Sequence, residues 1–197
     1  MPVPDPAATV LALRPSPGGF EVLMVQRNAR GFFGSIVVFP GGKVEEVDVP
    51  DGLSADDDLS HRKAAVREFA EETGIVIPGG VDQLTLVSRW VTPERAPRRF
   101  DTRFYVVGLV DPPEVVVDVE ELLWHRWVTP GEALAHATAG EWAMIKPTLS
   151  HLHWLRRWSS IEEAVGSAEG ADGRTLIIPR VVEDGSLLPI HMPAEVS

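Results

Sequence analysis

The segment VREFAEETGI, residues 66–75, constrains the fold more than any other part of the sequence. It predicts a helix from about Leu59 to Thr73 that ends at Gly74, where a left-handed residue belongs. Because helix positions three and four apart share a face, one face carries three carboxylates: Glu68, Glu71 and Glu72. Like charges at this spacing repel by a few tenths of a kcal/mol per pair. Arg67 alone does not offset the charge of three carboxylates, so a further cation is missing from the chain.

Apolar runs on both sides of this helix predict strands. The first two form an antiparallel pair across the turn PSPGG, and three more follow the helix: 8–14, 20–27, 84–92, 102–110 and 122–128. Asp58 or Ser60 is the expected N-cap of the carboxylate helix. Further helices dominate residues 129–166 and begin at a capping box of Thr129 and Glu132. This arrangement predicts an α+β fold in which helices cover a mixed sheet.

Length, charge and residue usage exclude several classes of protein. The chain has 197 residues, enough for one domain with a full core, and no cysteine for disulfides, zinc thiolates or a nucleophile. Its net charge of -11 argues against nucleic-acid and anionic-membrane partners. No apolar stretch approaches the roughly 18 residues of a membrane span, and the N-terminus lacks the basic region of a signal peptide. We therefore expect a soluble, cytoplasmic protein.

The turn FPGGKVEE, residues 39–46, precedes the carboxylate helix. A turn of this kind exposes backbone carbonyls, which are hard oxygen ligands like carboxylates. Together these groups suit Mg²⁺ or Mn²⁺, both of which prefer oxygen ligands. The alternative is a solvated helix face, which often carries several acids. In the first interpretation, divalent ions neutralise the face when substrate arrives.

These residues resemble the signature of the Nudix hydrolases, G-x5-E-x7-R-E-U-x-E-E-x-G-U, in which U is bulky and apolar. The second half is complete from Arg67 to Ile75. In the first half, Gly42 is followed after five residues by Asp48, where the family usually has glutamate. Eighteen residues instead of seven separate Asp48 from Arg67, so the loop holds eleven extra. The resemblance covers residues 7 to about 135.

The chain is also similar to a subgroup, the peroxisomal coenzyme A diphosphatase-like Nudix proteins and their bacterial relatives. The similarity is carried by FPGGKVE with its acidic insertion and by WVTPERAPRRFDTRFYV, residues 90–106. That subgroup commonly has aspartate at the position of Asp48. The general coenzyme A signature is not reproduced, because the spacing of Arg30 and Gly34 to Phe39 is one residue too long.

The resemblance implies a Nudix-type α/β/α sandwich with a mixed sheet and a helical C-terminal extension. It implies a single domain over residues 1–197, with a core at about 7–135 and an extension and tail at about 136–197. It also implies a small-molecule substrate in which a diphosphate is linked to a group X. Coenzyme A, a sugar nucleotide, a dinucleotide and a nucleoside triphosphate all remain open. The alternatives are a Nudix-fold sensor that binds a ligand without cleaving it and an interaction module.

The resemblance further assigns roles to individual residues. Glu71, Glu72 and the carbonyl of Gly41 would bind Mg²⁺ or Mn²⁺, and Glu68 would be a further ligand or help to activate water. Arg67 would orient the glutamates by charge-assisted hydrogen bonds. One more catalytic carboxylate is expected from the segment DVEELLWHRWV, where the candidate is Glu121, with Glu120 as the reserve. Water would then attack one phosphorus and release two phosphorylated fragments.

Two other groups of residues have competing interpretations. Arg99 and Arg103 are either a phosphate clamp or surface arginines that pair with nearby acids. Trp154 and Trp158 either form a packing stripe, cover the active site or contact the partner in a homodimer. His151, two residues before His153 on a helix, points in a different direction from it, which argues against a shared metal.

Two further expectations concern the insertion and the glutamates. Residues 49–58 are acidic and contain Pro50 and Gly52, which predicts an exposed, mobile loop near the site. Because Glu68 and Glu72 repel each other, replacing Glu72 with glutamine is expected to leave the stability of the metal-free protein unchanged or slightly higher.

Overall fold

The computed structural model describes residues 3–27, 35–94, 96, 98–116, 122–170 and 176–177. It contains eight strands: β1 (Asp5–Ser16), β2 (Gly19–Arg27), β3 (Val37–Val38), β4 (Gly41–Lys43), β5 (Thr85–Val91), β6 (Phe100–Gly108), β7 (Leu122–Val128) and β8 (Leu176–Ile177). Its four α-helices are α1 (Asp58–Thr73), α2 (Pro130–Thr138), α3 (Lys146–Leu155) and α4 (Ile161–Gly170). None of these helices combines the length and apolarity needed to cross a bilayer. The strand and helix pattern read from the sequence is confirmed.

The strands form one mixed sheet in the order β3-β2-β1-β6-β5-β8, with β4 also paired to β1 and β7 to β2. The pairs β1–β6 and β5–β8 are parallel, and the remaining pairs are antiparallel. Side chains alternate between the two faces of each strand, so β1 contributes to both cores. Val10 packs on one face and Leu11 on the other.

Helices cover both faces of the sheet. On one face α1 buries Ala64, Ala65 and Phe69. On the other face lie apolar side chains of α2, α3 and α4, among them Leu134, Leu152 and Ala164. The predicted α+β fold, an α/β/α sandwich with a mixed sheet, is therefore confirmed.

Local capping sets the ends of the helices. Gly74 follows α1 with a φ of 70°, the left-handed value that glycine adopts without a steric penalty. Asp57, rather than the predicted Asp58 or Ser60, is the N-cap of α1. The carboxylate of Asp57 makes no capping hydrogen bond to the helix, and that of Asp58 is engaged by Arg103 and by the hydroxyl of Tyr105.

The capping box at α2 is confirmed. The backbone N–H of Glu132 donates to Thr129 Oγ1 over 3.2 Å, and the backbone N–H of Thr129 donates to Glu132 Oε2 over 2.9 Å. Trp154 on α3 is buried in the core, and Trp158, three residues after the end of α3, packs against that core. The packing stripe is therefore the correct interpretation of these two tryptophans.

His151 on α3 is completely buried and stacks on Phe104 with ring centroids 4.2 Å apart. The carbonyl of Pro147 accepts from Nδ1 over 2.7 Å, so Nε2 carries the lone pair. Ser88 Oγ accepts from the indole N–H of Trp90 over 3.1 Å and donates to His151 Nε2 over 2.8 Å. Every polar atom of this buried ring is therefore paired in the neutral state. His153, two residues on, is exposed, as its predicted orientation requires.

We expect this histidine to make the protein less stable in mild acid. Burial lowers the pKa of His151 from 6.5 to about 4. Between these pH values the unfolded chain binds a proton that the folded chain does not. Stability is therefore lost as the pH falls from 6.5 to 4, by up to about 3 kcal/mol.

The measurement is urea unfolding of the wild type, His151→Gln and His153→Gln between pH 7.5 and 4.5. His151→Gln should show a shallower pH dependence, and His153→Gln should retain the wild-type dependence. An unchanged pH dependence in His151→Gln would contradict the assignment.

Candidate active site

Helix α1 presents three glutamates in a graded environment. The side chain of Glu72 is 1% exposed, that of Glu68 is 14% exposed and that of Glu71 is 60% exposed. Burial raises the pKa of Glu68, and the neighbouring Arg67 opposes that shift. The predicted carboxylate face exists, and it runs from the protein interior to solvent.

Two consecutive glycines bring the backbone of β4 against this face. The N–H of Gly41 donates to Glu72 Oε2 over 2.9 Å. A Cβ at Gly42 would lie 2.1 Å from the carboxyl carbon of Glu68. A Cβ at Gly41 would lie 2.2 Å from the carbonyl oxygen of Ala8, and Gly41 has a φ of 150°, which side chains disfavour. The Gly-Gly turn is therefore required for the close approach of β4 to both α1 and β1.

Arg67 joins the two halves of the motif. Its Nε lies 3.0 Å from Asp48 Oδ1 and its Nη2 lies 2.7 Å from Asp48 Oδ2. Nη1 donates to Glu68 Oε1 over 3.0 Å and to Glu71 Oε2 over 2.9 Å. Nη2 also donates to the carbonyl of Lys43 over 3.0 Å. The hydrogen bonds with Asp48 raise the pKa of Arg67, so the guanidinium stays charged.

The contact between Asp48 and Arg67 bridges the insertion. Asp48 is 3% exposed and lies at the end of the 3₁₀ turn Glu46–Asp48. Half of residues 49–58 are exposed and the other half are partly exposed, so no residue of the predicted loop is buried. The loop is also hydrogen bonded internally, because the backbone N–H of Ser54 donates to Asp57 Oδ2 over 2.7 Å. The predicted mobility of the loop stays a prediction.

Replacing Asp48 with asparagine should destabilise the protein by about 3 kcal/mol, because it leaves a mostly buried arginine without its bidentate partner. Urea unfolding measures the loss. Asp51→Asn in the exposed part of the same insertion is the matched control and should change stability by less than about 0.5 kcal/mol. Equal stabilities for the two variants would contradict a role for Asp48 in closing the motif.

Arg27 is a site residue that the sequence reasoning missed. It is the last residue of β2, and its guanidinium lies 2.5 Å from Glu72 Oε1. The same Nη2 atom donates to the carbonyl of Gly41. The expectation that the glutamate face lacks a cation is therefore wrong, since Arg27 and Arg67 both supply positive charge. Strand alternation places Arg27 on the face of Leu23, which packs in the core beneath α1, but no local pattern ties it to that helix.

The chemistry of these groups fits a divalent cation. Carboxylate and carbonyl oxygens are the ligands that Mg²⁺ and Mn²⁺ prefer. The carbonyl of Gly41 and Glu72 Oε1 already bind one cation, the Arg27 guanidinium. Within the described ranges, no three histidine or acidic side chains already converge as a metal-binding group.

The two arginines predicted to bind substrate make contacts with other parts of the chain. Arg103 donates to Asp58 Oδ1 over 3.0 Å and to the carbonyl of Asp56 over 2.6 Å, at the first turn of α1. Asp58 precedes Glu68 by ten residues, which corresponds to about 15 Å along the helix. Arg99 Nε donates to the carbonyl of Thr92 over 3.1 Å. Several named residues lie outside the described residues: Arg30, Gly34, Glu120 and Glu121.

Comparisons with known proteins identify a family and relatives of this chain. The family model described as the NUDIX domain matches residues 3–149. Nudix hydrolase 7 of Caenorhabditis elegans is 28% identical over 180 residues, covering 73% of this chain and 59% of that protein. Acyl-coenzyme A diphosphatase NUDT19 of Homo sapiens is 31% identical over 78 residues, covering 39% of this chain and 21% of that protein. The chain thus spans about three fifths and about one fifth of the lengths of these two relatives.

Solved structures give the same result for the fold. A crystal structure of a NUDIX hydrolase from Alicyclobacillus acidocaldarius has a TM-score of 0.74 and 25% identity, covering 84% of this chain and 97% of that chain. The NUDIX domain of Shewanella oneidensis NrtR, solved with ADP ribose, has a TM-score of 0.60 and 16% identity, covering 80% of this chain and 89% of that chain. The second likeness concerns the fold alone.

Proposed function

This chain belongs to the Nudix family, and from that premise we propose that it is a divalent-cation-dependent hydrolase that cleaves the diphosphate linkage of a small molecule. The observation that carries the proposal is the position of Glu68 and Glu72 against the Gly41–Gly42 turn, with Glu71 joined to Glu68 through Arg67. The resemblance assigns ion binding to these groups, and hard oxygen donors suit that role. A solvated helix face would not need a glutamate that is 1% exposed.

In this proposal Glu68, Glu71, Glu72 and the carbonyl of Gly41 hold Mg²⁺ or Mn²⁺. When bound, the cation supplies electrostatic stabilisation of the charge that develops on phosphate oxygens. Arg67 is a positioning residue, because it holds Glu68 and Glu71 at fixed distances from each other. We also propose Glu68 as the carboxylate that accepts a proton from the attacking water, and the support is that burial raises its pKa.

Three further residues, Arg99, Arg103 and Glu121, are proposed to act on the substrate as the resemblance implies. Arg99 is proposed to contact a substrate phosphate. Arg103 would have to leave Asp58 to do the same, and Glu121 is proposed as a further catalytic carboxylate. We expect the protein to act in the cytoplasm.

For the group X, coenzyme A and its acyl derivatives are the first candidates. The support is the similarity of the acidic insertion and of residues 90–106 to the coenzyme A diphosphatase-like subgroup. The local match to a human acyl-coenzyme A diphosphatase points the same way. Sugar nucleotides, dinucleotides and nucleoside triphosphates belong in the same test.

The test is a panel of these four substrate classes incubated with the full chain and Mg²⁺ or Mn²⁺ in ¹⁸O-labelled water. Mass spectrometry should show one class split into two phosphorylated fragments, with a single ¹⁸O atom in one of them. A chelator should abolish the reaction. Full turnover in chelator would reject the cation dependence, and binding of a panel compound without cleavage would favour the sensor.

A further inference from the structure

Arg27 contacts two oxygens that the proposed function assigns to the divalent ion. Its guanidinium lies 2.5 Å from Glu72 Oε1 and donates to the carbonyl of Gly41. These two contacts come from different elements, since Gly41 begins β4 and Glu72 lies in the last turn of α1. Arg27 therefore links the same groups that a bound ion would link.

The positive charge of Arg27 stabilises the buried carboxylate of Glu72 in the ion-free protein. Glu72 is almost completely removed from water, and a buried carboxylate needs a positive partner as well as hydrogen bonds. The N–H of Gly41 supplies one hydrogen bond but no net charge. Arg67 is already committed to Asp48, Glu68 and Glu71, as described above. The guanidinium of Arg27, 2.5 Å from Glu72 Oε1, compensates the charge of Glu72.

We propose, on the basis of the proposed function, that Arg27 is the counter-ion that holds the ion-free site together. When the divalent cation binds, it displaces Arg27 from Gly41 and Glu72. Two cations compete for the same two oxygens and repel each other at that distance. The side chain of Arg27 is 34% exposed, so it can move toward solvent without a large loss of packing. Once released, its planar guanidinium is free to bind a phosphate oxygen of the substrate.

The experiment is a titration of the metal-stripped full chain with Mn²⁺, followed by electron paramagnetic resonance of the free ion. Arg27→Met removes the competing charge and keeps the length of the side chain. It should bind Mn²⁺ more tightly than the wild type, by roughly tenfold. Lys43→Met is the matched control, because it removes the same charge one residue from Gly42 while its side chain pairs with Asp5. The control should change the affinity less than about twofold.

A second measurement separates exchange from a purely structural role. In chelator, Arg27→Met should unfold at a lower temperature than the wild type, and saturating Mn²⁺ should remove most of that difference. A difference that persists in saturating Mn²⁺ would overturn the proposal. If Arg27→Met does not fold, Arg27→Lys takes its place. A single ammonium bridges the two oxygens less well than the guanidinium, so this variant should still bind Mn²⁺ more tightly than the wild type.

The other outcomes are also decisive. If Arg27→Met and Lys43→Met bind Mn²⁺ equally more tightly than the wild type, the effect is one of net charge. This result would overturn the exchange of cations but would not contradict the proposed hydrolase function. Unchanged or weaker Mn²⁺ binding in Arg27→Met would do the same. A wild-type protein that binds no Mn²⁺ in the presence or absence of a diphosphate substrate would reject the proposed function and the exchange together.

Discussion

Replacing Glu72 with glutamine should reduce turnover of a diphosphate substrate by about 10³-fold and also destabilise the ion-free protein by about 3 kcal/mol. The amide lacks the charge that Arg27 compensates, and its NH₂ group turns a donor toward either Arg27 or the N–H of Gly41. The repulsion between Glu68 and Glu72, considered alone, predicts no loss of stability. The ion pair with Arg27 reverses that expectation.

The measurement combines steady-state turnover in Mg²⁺ with thermal unfolding in chelator. Glu71→Gln is the graded comparison, because Glu71 is 60% exposed and its loss should cost little stability. Glu169→Gln on the exposed side of α4 controls for the loss of one negative charge. Near-normal turnover of Glu72→Gln would remove Glu72 from the site. Unchanged stability would show that its contact with Arg27 is energetically unimportant.

Replacing Gly42 with alanine should mainly reduce turnover, whereas replacing Gly41 with alanine should mainly reduce stability. At Gly42 the new Cβ meets the carboxyl group of Glu68, which is the end of a flexible side chain and can swing away. Gly42→Ala should therefore fold, lose less than about 1 kcal/mol of stability and lose about 10²-fold or more in turnover. At Gly41 the new Cβ meets the backbone of Ala8 and Thr9. Gly41→Ala should lose more than about 3 kcal/mol or fail to fold.

Circular dichroism and turnover of the two variants, with Gly131→Ala as the control, test this contrast. Gly131 lies in the first turn of α2, where an added Cβ would have no neighbour within 4 Å. Full activity in Gly42→Ala would mean that the position of Glu68 is not needed for the reaction. A stable, fully folded Gly41→Ala protein would contradict the close approach of β4 to β1.

The carboxylate helix, its end at Gly74 and the capping box at Thr129 can be predicted from sequence because each depends on residues within one or two turns. The core strands can be predicted for the same reason, since alternation and apolar runs are local. The pairing of Asp48 with Arg67 is different, because eighteen residues intervene. Only the motif makes these two positions correspond, and the contact then explains why the motif tolerates an insertion.

The cations of the site could not be predicted in the same way. Arg27 reaches Glu72 across 45 positions of sequence, because β2 pairs with β1 and both β1 and β4 contact α1. Arg103 reaches Asp58 across a similar separation, through the register of β6. Both arginines lie in strands, and the alternation of a strand predicts only the face of the sheet on which a side chain lies. Their partners depend on the assembled sheet and helix, which no local pattern describes.

Contacts with arginines hold the insertion at both of its ends, and this has a practical consequence for protein engineering. Asp48 is held by Arg67 at one end, and Asp56 and Asp58 are held by Arg103 at the other. Between them Gly52 is exposed, and a Cβ there would have no neighbour within 4 Å. Because loop closure costs only about 0.6 kcal/mol for each doubling of loop length, the chain can be lengthened at Gly52 with little strain on either fastening. Gly52 is thus a suitable insertion point for an epitope tag or a fluorescent reporter.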